Sequence, residues 1–235
     1  MPLDDTFSVI SIPVDAEARF KLGKMQHPVR GFLHGSAAIA AVVGGIALVL
    51  RASTVGGKIA AGVFGLGMVA LYTTSSLYHS VPWREIWNGR MRRLDHSMIF
   101  VLIAATYTPI AWLVLEGNLR FVTLGVAWGI AAIGIGQQGF FPREESNFSI
   151  ALMTTMGWLS LFIMIPIARR AGMAAVVLMA LGGILYTVGM VFLVTNRPKL
   201  WPRVFSYHEL FHVLVVTATT MHFIVAWRYV VPLAA

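Results

Sequence analysis

The chain has 235 residues, 57% of them hydrophobic and only 12% charged, and a mean hydropathy of +0.75, too apolar for a soluble domain of this size. The net charge of +8 does not mark a nucleic-acid binder, because the basic residues lie in short flanks between apolar runs. With no cysteine, disulfides and thiolate metal sites are excluded.

Residues 1–30 read as a cytosolic arm. Its start, "MPLDDTFSVI", is acidic where a cleaved signal would be basic. Pro13 and Pro28 break the arm, and "AEARFKLGKM" between them suits a short interfacial helix. The rest, 31–235, reads as one domain of seven membrane-spanning helices. The apolar stretches are 32–50, 59–79, 98–115, 121–141, 150–168, 173–195 and 209–231. Each is close to the roughly 20 residues a helix needs to cross the hydrocarbon core. Charged side chains are nearly absent from them; Glu209 stands at the edge of the seventh, where it is expected to face water or basic head groups. Pro109 and Pro166 are expected to kink the third and fifth. Gly-rich runs such as "GIAAIGIGQQG" suit close helix packing.

Lys and Arg set the orientation. With the N-terminus inside, twelve fall on the cytosolic side: Arg19, Lys21, Lys24, Arg30, Arg84, Arg90, Arg92, Arg93, Arg143, Arg197, Lys199 and Arg203. Six fall outside: Arg51, Lys58, Arg120, Arg169, Arg170 and Arg228. The expectation is therefore an all-α, polytopic bundle with a cytosolic N-terminus and an external C-terminus, in the inner (plasma) membrane.

His208 and His212 enter the seventh segment four residues apart, so they share one helical face and can grip one cation. His79 closes the second segment, and Asp95 and His96 enter the third. Under the orientation above all of them fall at one depth, near the cytosolic face. Three imidazoles leave a coordination position open for water, the arrangement of a hydrolytic metal site, and an all-nitrogen set suits Zn2+. His96 follows Asp95 directly and is expected to point elsewhere, while His27 lies in the arm. His222, 14 residues after His208, raises a haem alternative, but no other segment carries a deep histidine to complete it. Without a lysine inside any segment, a retinal Schiff base is excluded.

Three stretches carry a resemblance: "SSLYHS", "RRLDHSMIF" and "HELFHVLVVTATTMHF". With the seven-segment pattern, they make the chain resemble hemolysin III and the progestin and adipoQ receptors over most of 31–225. The resemblance implies that His79, His208 and His212 bind zinc, that Asp95 is associated with the water at the metal, and that Ser75 lies beside the site. It further implies a likeness to alkaline ceramidases, hence a zinc-dependent membrane hydrolase cleaving a lipid amide or ester that enters from the bilayer. In the reading drawn from it, Asp95 is the base and Ser75 donates to the developing oxyanion. The alternatives are a zinc-stabilised, non-enzymatic receptor or signalling protein and a pore-forming hemolysin. The first segment departs from the family pattern: "KMQHPVRGFLHG" keeps His34 and Gly35 but carries Gln26 and Arg30 where acidic or amide residues are expected.

Overall fold

The structure is a computed structural model; it describes residues 22–140, 147–201 and 204–234. The expectations for residues 1–21, including most of the interfacial helix, and for Arg143 and Arg203 lie outside the described residues.

Among the described residues, eight α-helices form seven spans. They are α1 (Pro28–Arg51), α2 (Val55–Ser80), α3 (Glu85–Leu113), α4 (Gly117–Phe140), α5 (Asn147–Trp158), α6 (Met164–Ala171), α7 (Met173–Thr195) and α8 (Tyr207–Val225). α5 and α6 are two halves of one span, joined by the 3-10 turn Leu159–Ile163. α8 continues through the π turn Ala226–Val230. The described residues are thus all-helical with only an isolated bridge between Trp201 and Phe205, as the composition requires. The chain is a multi-pass membrane protein. Its exposed apolar side chains, among them Ile39, Val43, Leu66, Phe121 and Phe162, form the lipid-facing surface such a bundle needs.

Helix limits extend past the apolar stretches. α1 opens at Pro28, whose fixed φ and missing N–H suit a first helical turn, rather than after residue 30. α3 opens at Glu85, well before residue 98, so Asp95 lies three turns inside a helix rather than at its mouth. The polar turns of α3 escape a hydropathy window but cost the helix nothing.

Both prolines act on the backbone. Pro109 sits within a continuous α3, freeing the Ala105 carbonyl from its usual donor. Pro166 follows the 3-10 turn, and its ring opposes the carbonyl four residues back, at Phe162. Carbonyls loosened before that turn are taken up by the Tyr107 hydroxyl, which donates to Met156 O at 2.7 Å and Gly157 O at 3.2 Å. No backbone group can be left unmet in hydrocarbon.

α2 and α3 are the most enclosed spans. One apolar cluster joins α1, α2 and α8 around Leu48, Phe64, Leu71 and Phe211; the other joins α3 to α4–α7 around Phe100, Tyr107 and Met156. α1 meets α2 almost backbone to backbone: a Cβ on Gly65 would stand 2.9 Å from the Gly45 Cα. A side chain at either position would press on the backbone of the facing helix, so small residues allow this close approach.

Candidate metal centre

His79 occupies the last turn of α2, which Val81 and Pro82 then end; Val81 cannot extend the helix into a residue without an N–H. His208 and His212 occupy the first two turns of α8. α8 starts at Ser206, whose backbone N–H donates to Glu209 Oε2 at 2.8 Å, the reach-back half of a capping box. This start fixes which helical face carries the two histidines.

The three rings meet. Centroid separations are 5.4 Å for His79–His208, 4.9 Å for His79–His212 and 5.0 Å for His208–His212, nearly an equilateral triangle. One ring nitrogen from each lies within 4.8 Å of the other two. Tetrahedral ligands about 2.1 Å from zinc stand roughly 3.4 Å apart, so a small inward shift of the rings would complete the cage. Three neutral nitrogen donors with no sulfur suit a borderline divalent cation. The donor set fits a metal, and the trio expected from sequence is brought together.

Asp95 and Ser75 are buried, and both border the same cavity as the three histidines. Asp95 Oδ1 is buried and has no hydrogen-bond partner. Asp95 stands outside the close group that the three histidines form. It therefore carries a free oxygen in the same enclosure without being grouped with the ligands.

The cavity has a volume of about 680 Å³ and runs from the trio along α3, α5, α7 and α8 to His222. Its walls are mostly apolar, from Leu71, Ile99, Leu102, Met153, Met179 and Val215 among others. Between His212 and His222 the rise of α8 is about 15 Å, half the thickness of a hydrocarbon core and so about one acyl chain. His222 does not support the haem alternative: it packs over Gly182 and against Tyr186, with Nε2 3.4 Å from Met179 O.

Two expectations are corrected. Glu209 does not face water or head groups; it is buried and accepts from Arg30 Nε at 2.6 Å. α1 packs over the start of α8 and supplies the cation that head groups were expected to supply. His96 does not point away; it borders the same cavity, which is wide enough for neighbouring faces of α3 to share it.

Sequence reasoning gave α1 no role, yet α1 and its N-cap residue contribute three polar residues here. His27 donates its backbone N–H to His79 O at 2.9 Å, and its ring stands edge-on to the His79 ring at 5.8 Å. Arg30 holds Glu209, and His34 Nε2 lies 2.9 Å from His212 Nδ1. The signal was the spacing: 27, 30 and 34 follow i, i+3, i+7, a polar stripe at the start of an otherwise apolar helix.

These features define a class, a polytopic helical membrane protein with a buried three-histidine centre at one end of an apolar cavity. Residues 23–223 match the family described as haemolysin-III related, and the chain belongs to that family. It is 33% identical to Hemolysin-3 of Bacillus cereus over 205 residues, 86% of this chain and 90% of that one. To the Hemolysin-3 homolog of Bacillus subtilis (strain 168) it is 33% identical over 169 residues, 72% and 76% of the two chains. It is 25% identical over 223 residues to the human monocyte to macrophage differentiation factor, covering 91% of this chain and 88% of that protein.

Proposed function

We propose that the protein is a zinc-dependent membrane hydrolase that cleaves a lipid amide or ester. The observation that carries this reading is the joining of a three-histidine centre, a buried carboxylate with a free oxygen and an apolar cavity of acyl-chain length in one enclosure. A metal needed only to staple helices has no use for the last two.

His79, His208 and His212 would hold the ion, which when bound supplies Lewis acidity toward a water and a carbonyl. Asp95 orients that water through its carboxylate and takes its proton as the carbonyl is attacked. Ser75, which lines the same cavity, would donate to the developing oxyanion. The apolar walls take the acyl chain and keep bulk water from the reacting atoms. The head group lies toward Arg92, Asn196 and Tyr207 at the polar end of the cavity.

The excess of Lys and Arg at that end supports a cytosolic site, an N-terminus inside, an external C-terminus and residence in the inner (plasma) membrane. The test is hydrolysis by the purified protein of a panel of lipid amides and esters, ceramides and N-acyl lipids included. Cleavage should be lost on chelation and restored by zinc. A protein that binds zinc and cleaves none of the panel would instead be a zinc-stabilised, non-enzymatic receptor or signalling protein.

A further inference from the structure

We infer that His34 is a positioning residue that fixes the tautomer and ring orientation of His212. The inference rests on the metal-centre reading above and extends it to α1. His34 Nε2 and His212 Nδ1 are 2.9 Å apart, their rings are tilted by 42° with centroids 4.0 Å apart, and both residues are buried. Tyr72 stands edge-on to the other side of the His34 ring at 5.1 Å, leaving it little freedom to turn.

Hydrogen-bond chemistry reduces the choices to two. Between two neutral imidazoles one nitrogen donates and the other accepts. If His34 Nε2 donated, the His212 proton would sit on Nε2 and neither His212 nitrogen would be free to bind a cation. If His212 Nδ1 donates, its Nε2 lone pair is free for one. Only the second arrangement is compatible with ligation. It moves the His34 proton to Nδ1, a buried atom with no hydrogen-bond partner. Leaving that atom unmet is costly for a contact that only packs helices. It is understandable for one that holds a ligand, since ligating histidines characteristically donate their second N–H to a fixed acceptor. A neutral imidazole fills that place here, so the ligand gains orientation with no added negative charge.

The experiment uses the full chain in detergent micelles, with zinc affinity measured by chelator competition and thermal stability measured with and without zinc. His34→Leu removes the acceptor and should weaken zinc binding roughly 10- to 100-fold. His34→Gln supplies an amide oxygen and should stay within a few-fold of the parent protein. Equal zinc affinity in the Leu variant, or equal losses in both variants, would overturn the inference and leave His34 a packing residue. Should the Leu variant fail to fold, nitrogen NMR of the zinc-loaded parent reads the same point: His34 protonated on Nδ1 supports the assignment, and protonation on Nε2 overturns it. A parent protein that binds no zinc would remove the metal-centre reading itself, an outcome distinct from zinc bound indifferently to residue 34.

Discussion

Arg30 and Glu209, 179 positions apart in the chain, meet at 2.6 Å with both side chains buried. The carboxylate is shared: Oε1 takes the guanidinium and Oε2 takes the backbone N–H that opens α8. One side chain therefore sets where α8 begins and where α1 lies against it, one turn before His212. Four residues after Arg30, His34 repeats the cross-helix contact at His212 itself.

This pair predicts an asymmetric mutational pattern. Arg30→Met leaves a carboxylate buried without its cation and should cost roughly 3–5 kcal/mol. Arg30→Met combined with Glu209→Gln removes both charges, keeps an oxygen for the helix start, and should recover much of that loss. Unfolding titrations in mixed micelles measure both. Equal destabilisation by the single and double variants would mean that the ion pair does not hold α1 to α8.

The metal centre predicts about one zinc per chain by elemental analysis. His208→Ala and His212→Ala should each abolish binding, because two remaining imidazoles rarely retain a divalent ion. Since the ligands come from α2 and α8, chelation should also lower the melting temperature of the parent protein, and should leave that of His212→Ala unmoved.

Orientation is testable because the chain has no cysteine of its own. Arg90 and Lys58 are exposed at opposite ends of the bundle. In intact cells, an impermeant thiol reagent should label Lys58→Cys and spare Arg90→Cys until the membrane is opened. The reverse pattern would turn the site to the outer face.

Much of this was legible in the sequence, and the illegible part has a physical reason. Hydropathy marks lipid-facing helices well, so the seven spans were readable; their polar ends were not, and α3 gained three turns. His208 and His212 were readable because one helix carries both at fixed spacing, and His79 joined them through depth. The contributions of His27, Arg30 and His34 depend on which helix stands beside which. Local periodicity does not encode that; it emerges only from cross-helix contacts such as the Gly45–Gly65 approach and the Arg30–Glu209 pair. Glu209 was misread for the same reason, because its partner lies on a helix whose place no spacing rule reveals.

Asp95 separates a catalyst from a staple. Its Oδ1 is buried without a hydrogen-bond partner, and the residue lines the same cavity as the three histidines, yet it is not grouped with them. If Asp95 is the base, Asp95→Asn should leave zinc content unchanged while lowering hydrolysis of a lipid amide roughly 10²- to 10⁴-fold. The amide preserves volume and one acceptor but has little capacity to take a proton. If Asp95 moves in as a fourth ligand, the same change should weaken zinc binding, because a neutral amide is a poor zinc ligand. Ser75→Ala refines the reading: losing a donor to the oxyanion should lower turnover, with zinc content unaffected. Zinc content and hydrolysis must be read on the same preparations. Zinc kept with turnover lost supports general-base catalysis, whereas zinc lost in Asp95→Asn, with no hydrolysis by the parent protein, leaves a metal that only ties α2 to α8.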